Sequence, residues 1–179
     1  MRGGLVTLSR KLALMVGRAV LRAVDDTKAW PAVQLELLAE ELRADVEYAQ
    51  DYGFTSHPHP GAEAIAVSVS GSRDHVVAIK VGDRRYRLKG LQQGEVALYT
   101  DEGDKVVLKR GGTIEVVAST KVRLVTPQVE MTGNLSVAGS VTVGGSVTAE
   151  GDVLGQGTSL HGHKHGGVST GGAQTGVPV

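Results

Sequence analysis

Three histidines stand at alternate positions near the C-terminus, in Leu160-His-Gly-His-Lys-His-Gly-Gly-Val168. On an extended strand, alternate side chains share a face. His161, His163 and His165 are therefore expected to point to one side, where any two can share a metal ion. Within one chain such a tract could equally be a solvated tail. Placed on a three-fold axis, two histidines per chain put six imidazoles around one point, an octahedral nitrogen site that suits iron better than tetrahedral zinc. A site saturated by protein ligands has no open position for water or substrate, so its metal is structural rather than catalytic. A second pair, His57 and His59, lies in His-Pro-His-Pro60. Its prolines impose an extended or turned loop, and with no accompanying carboxylate pattern it reads as a surface loop. His75 stands alone in a turn and implies no chemistry.

The chain leading to the histidines has a six-residue repeat. Glycine falls at 133, 139, 145, 151 and 157. Two places after each of the first four comes Leu135, Val141, Val147 or Val153, and four places after comes Val137, Val143, Ala149 or Gly155. Each unit is expected to be a short strand followed by a turn. The shrinking inner position, from valine to alanine to glycine, describes a body that tapers toward the C-terminus. Hexapeptide periodicity signals a parallel β-helix, and stacked coils are what bury each face. Four clear units could barely close one coil in a single chain, leaving edges and valines exposed. Three chains wound together would place the valines on a common axis. Thr113–Val125 and Gln128–Met131 read as broader strands feeding this segment.

The first half is of a different kind. All six aromatics precede residue 100, whereas 131–179 holds 13 of the 25 glycines and only Glu150, Asp152 and Lys164 among the charged residues. Val20, Arg22 and Val24 alternate with unlike neighbours. Val33, Leu35 and Leu37 repeat at period two, as do Leu42, Ala44, Val46 and Tyr48, although Leu37–Tyr48 also reads as a helix. Ile65, Val67 and Val69, then Val77 and Ile79, flank a turn at Gly71–Asp74. Glu95–Tyr99 and Lys105–Leu108 flank Asp101–Asp104. Short strands at this spacing predict a small barrel, with an OB-like barrel as the leading form. Leu5, Leu8, Leu12, Met15 and Ala19 recur at steps of three and four, which predicts an amphipathic helix.

The formal net charge is zero and there is no cysteine. A free-standing nucleic-acid binder would carry a basic excess, and Arg84, Arg85 and Arg87 around Tyr86 read as a polar strand face rather than a stacking platform. Neither a disulfide framework nor a thiolate metal site is possible. The apolar run Leu12–Leu21 is too short to span a bilayer and contains Arg18. It is followed by no small-residue cleavage pattern, so a secretory signal is not expected.

Tyr52-Gly-Phe-Thr-Ser-His-Pro-His-Pro-Gly-Ala-Glu63, Asp83-Arg-Arg-Tyr-Arg-Leu88 and Gly94-Glu-Val-Ala-Leu-Tyr99 resemble the N-terminal barrel signature of Mu-like phage baseplate assembly proteins. His163-Lys-His165-Gly-Gly-Val168, Gly171-Gly172 and Thr175-Gly176 resemble the tip of Mu- and P2-type phage spikes. The resemblance covers nearly the whole chain. It implies a homotrimeric central spike of a contractile phage tail or phage-tail-like bacteriocin, located at the virion's baseplate tip. An OB-fold collar would bind hub and tail-tube proteins, and a triple-stranded β-helix would form the shaft. One structural iron ion per trimer would sit on the three-fold axis, held by His163 and His165, with His161 one step outside the pair. Sheath contraction would drive the spike through the bacterial outer membrane.

The fold class expected is thus mainly β: an OB-fold-like barrel followed by an intertwined trimeric β-helix with a metal-capped apex. The expected divisions are an N-terminal amphipathic helix over 1–18, the collar over 19–111, the shaft over 112–157 and the apex over 158–179. No catalysis, small-molecule substrate or nucleic-acid partner is expected. The competing reading is a trimeric hexapeptide-repeat acyltransferase with a histidine base, which calls for more coils and a coenzyme pocket.

Overall fold

The computed structural model describes residues 12, 13, 15–37, 41–164, 166, 167 and 171. It is mainly β and divides into two units, Met1–Leu124 and Val125–Val179.

In the first unit, β1 (Val16–Asp25), β2 (Ala32–Glu36), β3 (Leu42–Tyr48), β4 (Glu63–Ser68) and β5 (Val76–Gly82) close a barrel in the order β1-β2-β3-β5-β4. Neighbours pair antiparallel except β3 and β5, which run parallel, and β1–β4 pairing completes the ring. A closed ring leaves no edge strand in need of a partner. Its core is Ala19, Leu21, Val33, Leu35, Val46, Tyr48, Ala62, Ala64, Ala66, Val76 and Ala78. Leu21 and Leu35 are both 0% exposed and face each other across the β1–β2 pair.

The alternation read from sequence is right in kind but misphased at bulges. Leu21 pairs with Leu35 and Ala23 with Gln34, so Arg22 is an extra residue. Ala19 and Leu21 point inward before it, and Val24 packs against the core after it. On β3, Val46 pairs with Val33 and Arg43 with Leu35, leaving Ala44 and Asp45 opposite Gln34 alone. Asp45 takes φ +61°, which permits the bulge, and Leu42 and Ala44 are turned outward. Leu42–Tyr48 is strand, not helix. On β4 the residues facing the core are Ala64, Ala66 and Ser68, not Ile65, Val67 and Val69. A five-stranded barrel has a narrow interior, and alanine fits where isoleucine would not.

Two further expectations are corrected. The helix expected to run to Ala19 ends earlier: Val16 is already in β1, and Ala19 pairs with Ala64. Leu12 and Ala13 are helical, while Leu5 and Leu8 lie outside the described residues. Pairing with β4 supplies Val16–Ala19 with ladder bonds and buries Ala19, which outweighs a weak helical periodicity. The strands expected at Glu95–Tyr99 and Lys105–Leu108 do not enter the barrel. As β6 (Val96–Tyr99) and β7 (Lys105–Lys109) they join β8 (Thr113–Val117) in a separate antiparallel sheet of order β6-β7-β8.

Among the described residues the second unit has one paired element, the hairpin β9 (Leu154–Gly155) and β10 (Thr158–Ser159). Its two-residue turn is Gln156 and Gly157, both at positive φ, as the twist of a tight hairpin requires. Upstream the backbone bends at Thr126-Pro127, Thr132-Gly133, Ala138-Gly139, Gly144-Gly145 and Glu150-Gly151, once every six residues. The first of these bends uses proline where the later ones use glycine, so the glycine count alone misses it.

Candidate functional site

The histidine tip is built on the β9–β10 hairpin. Leu160 N–H donates to Val153 O at 2.9 Å, extending the hairpin by one rung. Beyond it the strand stops. His161 N–H donates to Asp152 Oδ1 at 3.1 Å, and Gly162 N–H donates to Ser159 Oγ at 2.6 Å. These two side-chain acceptors satisfy backbone donors that a continuing strand would leave open. Leu160–Gly162 therefore turns, so His161 and Gly162 do not continue the strand in the extended form expected of them. The Asp152 carboxyl is held below its ordinary range, chiefly by the hydrogen bond from Ser159 and then by the N–H of His161.

His163 Nδ1 lies 2.9 Å from the Ser159 carbonyl oxygen. A carbonyl can only accept, so in the neutral ring Nδ1 carries the proton and Nε2 the lone pair. A backbone carbonyl on one ring nitrogen is the usual way of orienting a histidine whose other nitrogen binds metal. The donor set at His163 thus fits a metal ion. His165 lies outside the described residues.

The barrel-side segments, far apart in sequence, meet in space. Arg85 donates to Pro60 O at 2.9 Å and to Asp83 Oδ2 at 2.5 Å. Its guanidinium lies over the Tyr86 ring, 5.2 Å from the centroid, and His59 approaches the same ring at 5.3 Å. His59 Nε2 also lies 3.0 Å from Asp101 Oδ2, 42 residues away in sequence. The carboxylate that meets His59 comes from the β6–β7 turn, a contact that local sequence cannot disclose. Gly61 has φ +88°, and a Cβ there would stand 3.1 Å from Arg85 Nη1. Glu95 accepts from Gln92 N–H at 2.9 Å and Arg110 N–H at 3.2 Å. Asp83 and Glu95 are both held below the ordinary carboxylate range, Asp83 first by the Arg85 side chain and Glu95 first by the Gln92 N–H. All these contacts tie loops together, with no nucleophile beside a base.

An open cleft of about 1040 Å³ has Tyr48, Phe54 and Ile79 on the barrel side and Leu98, Val106 and Val116 on the β6-β7-β8 sheet. Its walls are mainly aliphatic and aromatic. Among the described residues no three His, Asp or Glu side chains gather as a metal-binding group.

Two family profiles match the chain: "Bacteriophage Mu Gp45, N-terminal" over residues 18–85 and "Phage spike trimer" over 112–176. The chain is 36% identical over 138 residues to the baseplate puncturing device gp45 of Escherichia phage Mu, an alignment covering 73% of this chain and 70% of the relative. It is 40% identical over 141 residues to the Mu-like prophage FluMu protein gp45 of Haemophilus influenzae, covering 72% of this chain and 77% of the relative. These matches give the acyltransferase reading no support. They agree with the closed barrel, with the six-residue bends that follow it and with the resemblance carried by both ends of the sequence. The chain belongs to the Mu gp45 family of phage baseplate spike proteins, which form trimers within the tail baseplate.

Proposed function

We propose that three copies of this chain wind residues 112–157 into an intertwined triple-stranded β-helix, and that this shaft, tipped by residues 158–179, is driven through the bacterial outer membrane when the tail sheath contracts. The supporting observation is the state of the repeat in one chain. Val141, Val143 and Val147 are half to three-quarters exposed, and the described residues 125–152 form no strand pairing and no backbone hydrogen bond with one another. Extended backbone with this many aliphatics needs a ladder partner and an apolar neighbour. Gly133, Gly139, Gly145 and Gly151 have nothing within 4 Å of where a Cβ would stand, and none has a positive φ. Nothing in the single chain therefore requires glycine there, whereas close-wound neighbouring chains would.

At the apex, His163 and His165 of each chain would hold one iron ion per trimer on the three-fold axis. The Ser159 carbonyl on Nδ1 of His163 supports this assignment. The bound ion would supply a cross-link where the tip is too narrow for a core. The chain would act mechanically and not as an enzyme. The collar, residues 19–111, carries the aromatics and most of the charges suited to a specific interface, and would bind the hub and tail-tube proteins.

Metal analysis of untreated protein, paired with light scattering, tests both levels. The expected result is one iron per trimer, lost in the H163A/H165A variant while the barrel stays folded. A monomer at micromolar concentration overturns the shaft. Unchanged metal content in the double variant overturns the ligand assignment, and loss in H161A alone moves the site by one step.

A further inference from the structure

The sheet β6-β7-β8 has two unlike faces. Directly opposed residues in an antiparallel sheet share a face. The register aligns Val96, Leu108 and Ile114 in one row and Leu98, Val106 and Val116 in another. These rows lie two residues apart along each strand, so all six aliphatics form one face. The opposite face carries Tyr99, Lys105, Lys109 and Glu115, with Lys109 and Glu115 ion-paired at 3.0 Å. Burial runs against this chemistry. Val107, on the charged face, is 4% exposed, whereas Leu108 and Ile114 on the aliphatic face are 48% and 67% exposed. Leu98, Val106 and Val116 line the open cleft beside the barrel, whereas Val96, Leu108 and Ile114 stand clear of it, and an exposed apolar face of this kind marks an interaction surface.

We propose that this face packs against the same face of the two other copies of the chain, so that trimer contact begins at Val96, upstream of the segment matched as a spike trimer. The proposal rests on the trimer reading above. The occupant follows from continuity and charge. β8 lies inside the matched segment 112–176, so Ile114 and Val116 belong both to this face and to the trimer domain. Val96, Leu98, Val106 and Leu108 fall in 86–111, which neither profile covers. The aliphatic face carries no charge, so juxtaposing three copies brings no like charges together, and the charged residues of the sheet are all turned away from the contact. Apolar exposure then continues along the chain through Val122, Leu124 and Val125 to the repeat valines.

The full-length chain is tested by sedimentation with three single substitutions. Leu108→Glu puts a charge on the proposed contact, Tyr99→Glu puts the same charge on the opposite face, and Val141→Glu puts it in the repeat. The expected result is at least a tenfold rise in the concentration at which L108E trimers half-dissociate, with Y99E matching wild type. A trimer intact in L108E but lost in V141E overturns this proposal and leaves the shaft standing. A wild-type monomer overturns both. A second readout avoids disruptive change: the chain has no cysteine, so L108C and Y99C each introduce one thiol. A short bismaleimide should link copies of L108C and not Y99C. Equal cross-linking of the two, or none of either in a wild-type-like trimer, overturns the proposal and leaves the face to another baseplate protein.

Discussion

Residues 15–124 and residues 125–167 carry similar aliphatic side chains and treat them oppositely. In the barrel, Leu21, Val33 and Leu35 are removed from water by their own chain. In the repeat, Leu135, Val141 and Val147 stay exposed. Packing, not hydrophobicity, separates them. The barrel closes on itself because its strands are five to ten residues long and can curve round a core in which five of eleven residues are alanine. A six-residue unit that bends before it can pair has no such option. One region closes its own core within a single chain, and the other, in the shaft proposed above, would acquire its interior by association.

The largest effect should come from breaking the second region. Val141→Glu would bury a charge in each of three chains, at a cost on the order of several kcal/mol per chain. Light scattering should show loss of the trimer while circular dichroism shows the barrel transition unchanged. Leu35→Ala tests the other side. Removing a fully buried leucine should destabilise the barrel by about 2–5 kcal/mol, lowering its melting temperature at every protein concentration and leaving the trimer mass intact. If either substitution changes both readouts equally, the two regions are not independent.

Paired glycine substitutions sharpen the contrast. Gly94 has φ +87°, and a Cβ there would stand 3.1 Å from Arg110 Nη1, so Gly94→Ala should cost about 1–2 kcal/mol within the single chain. Gly139 has neither constraint. Gly139→Ala should leave the barrel melt unmoved and lower only the concentration-dependent transition of the trimer.

The smallest effect is on pH. Asp83 and Glu95 titrate below their ordinary values of 3.8 and 4.5. Their folded pKa values are depressed, so their contribution is complete above the unfolded values and lost as pH falls through the folded ones. The stability of the first unit, barrel and adjoining sheet together, should be flat above about pH 5 and decline below about pH 4. D83N, which cannot titrate, should show a shallower decline in thermal melts.

What could be read in the sequence was periodicity, and what could not was phase and partnership. Period two at Val33 and Leu35 located β2, and the glycine spacing located the bends. The bulges at Arg22 and Ala44-Asp45 leave no local mark that would shift the pattern, so inward and outward residues were exchanged around them. Nor does sequence spacing reveal that Asp101 meets His59, or that Asp152 and Ser159 draw the chain into a turn at His161. Those contacts depend on segments brought together by the barrel and by the hairpin. The histidine pair was visible because alternate histidines are chemically conspicuous, while the Ser159 carbonyl that orients His163 is a backbone atom that any residue could supply.

The regular bends at Pro127, Gly133, Gly139, Gly145 and Gly151 also create an alignment problem. If three parallel chains wind as proposed, a slip of one whole unit still sets glycine beside glycine and keeps an aliphatic residue at the positions of Leu135, Val141, Val147 and Val153. Repetition there gives little penalty for misregistration, much as strands without a distinctive pattern slide against each other. The degeneracy is broken by the taper from Val143 through Ala149 to Gly155 and where the repeat ends. At one end stand β8 and the sheet it completes; at the other stands the β9–β10 hairpin, whose Gln156-Gly157 turn and Asp152–His161 bond recur nowhere upstream among the described residues. A hairpin so local forms within microseconds, before three chains can meet. Each chain would then arrive with its terminus already marked, and the mark tells the other two where to stop.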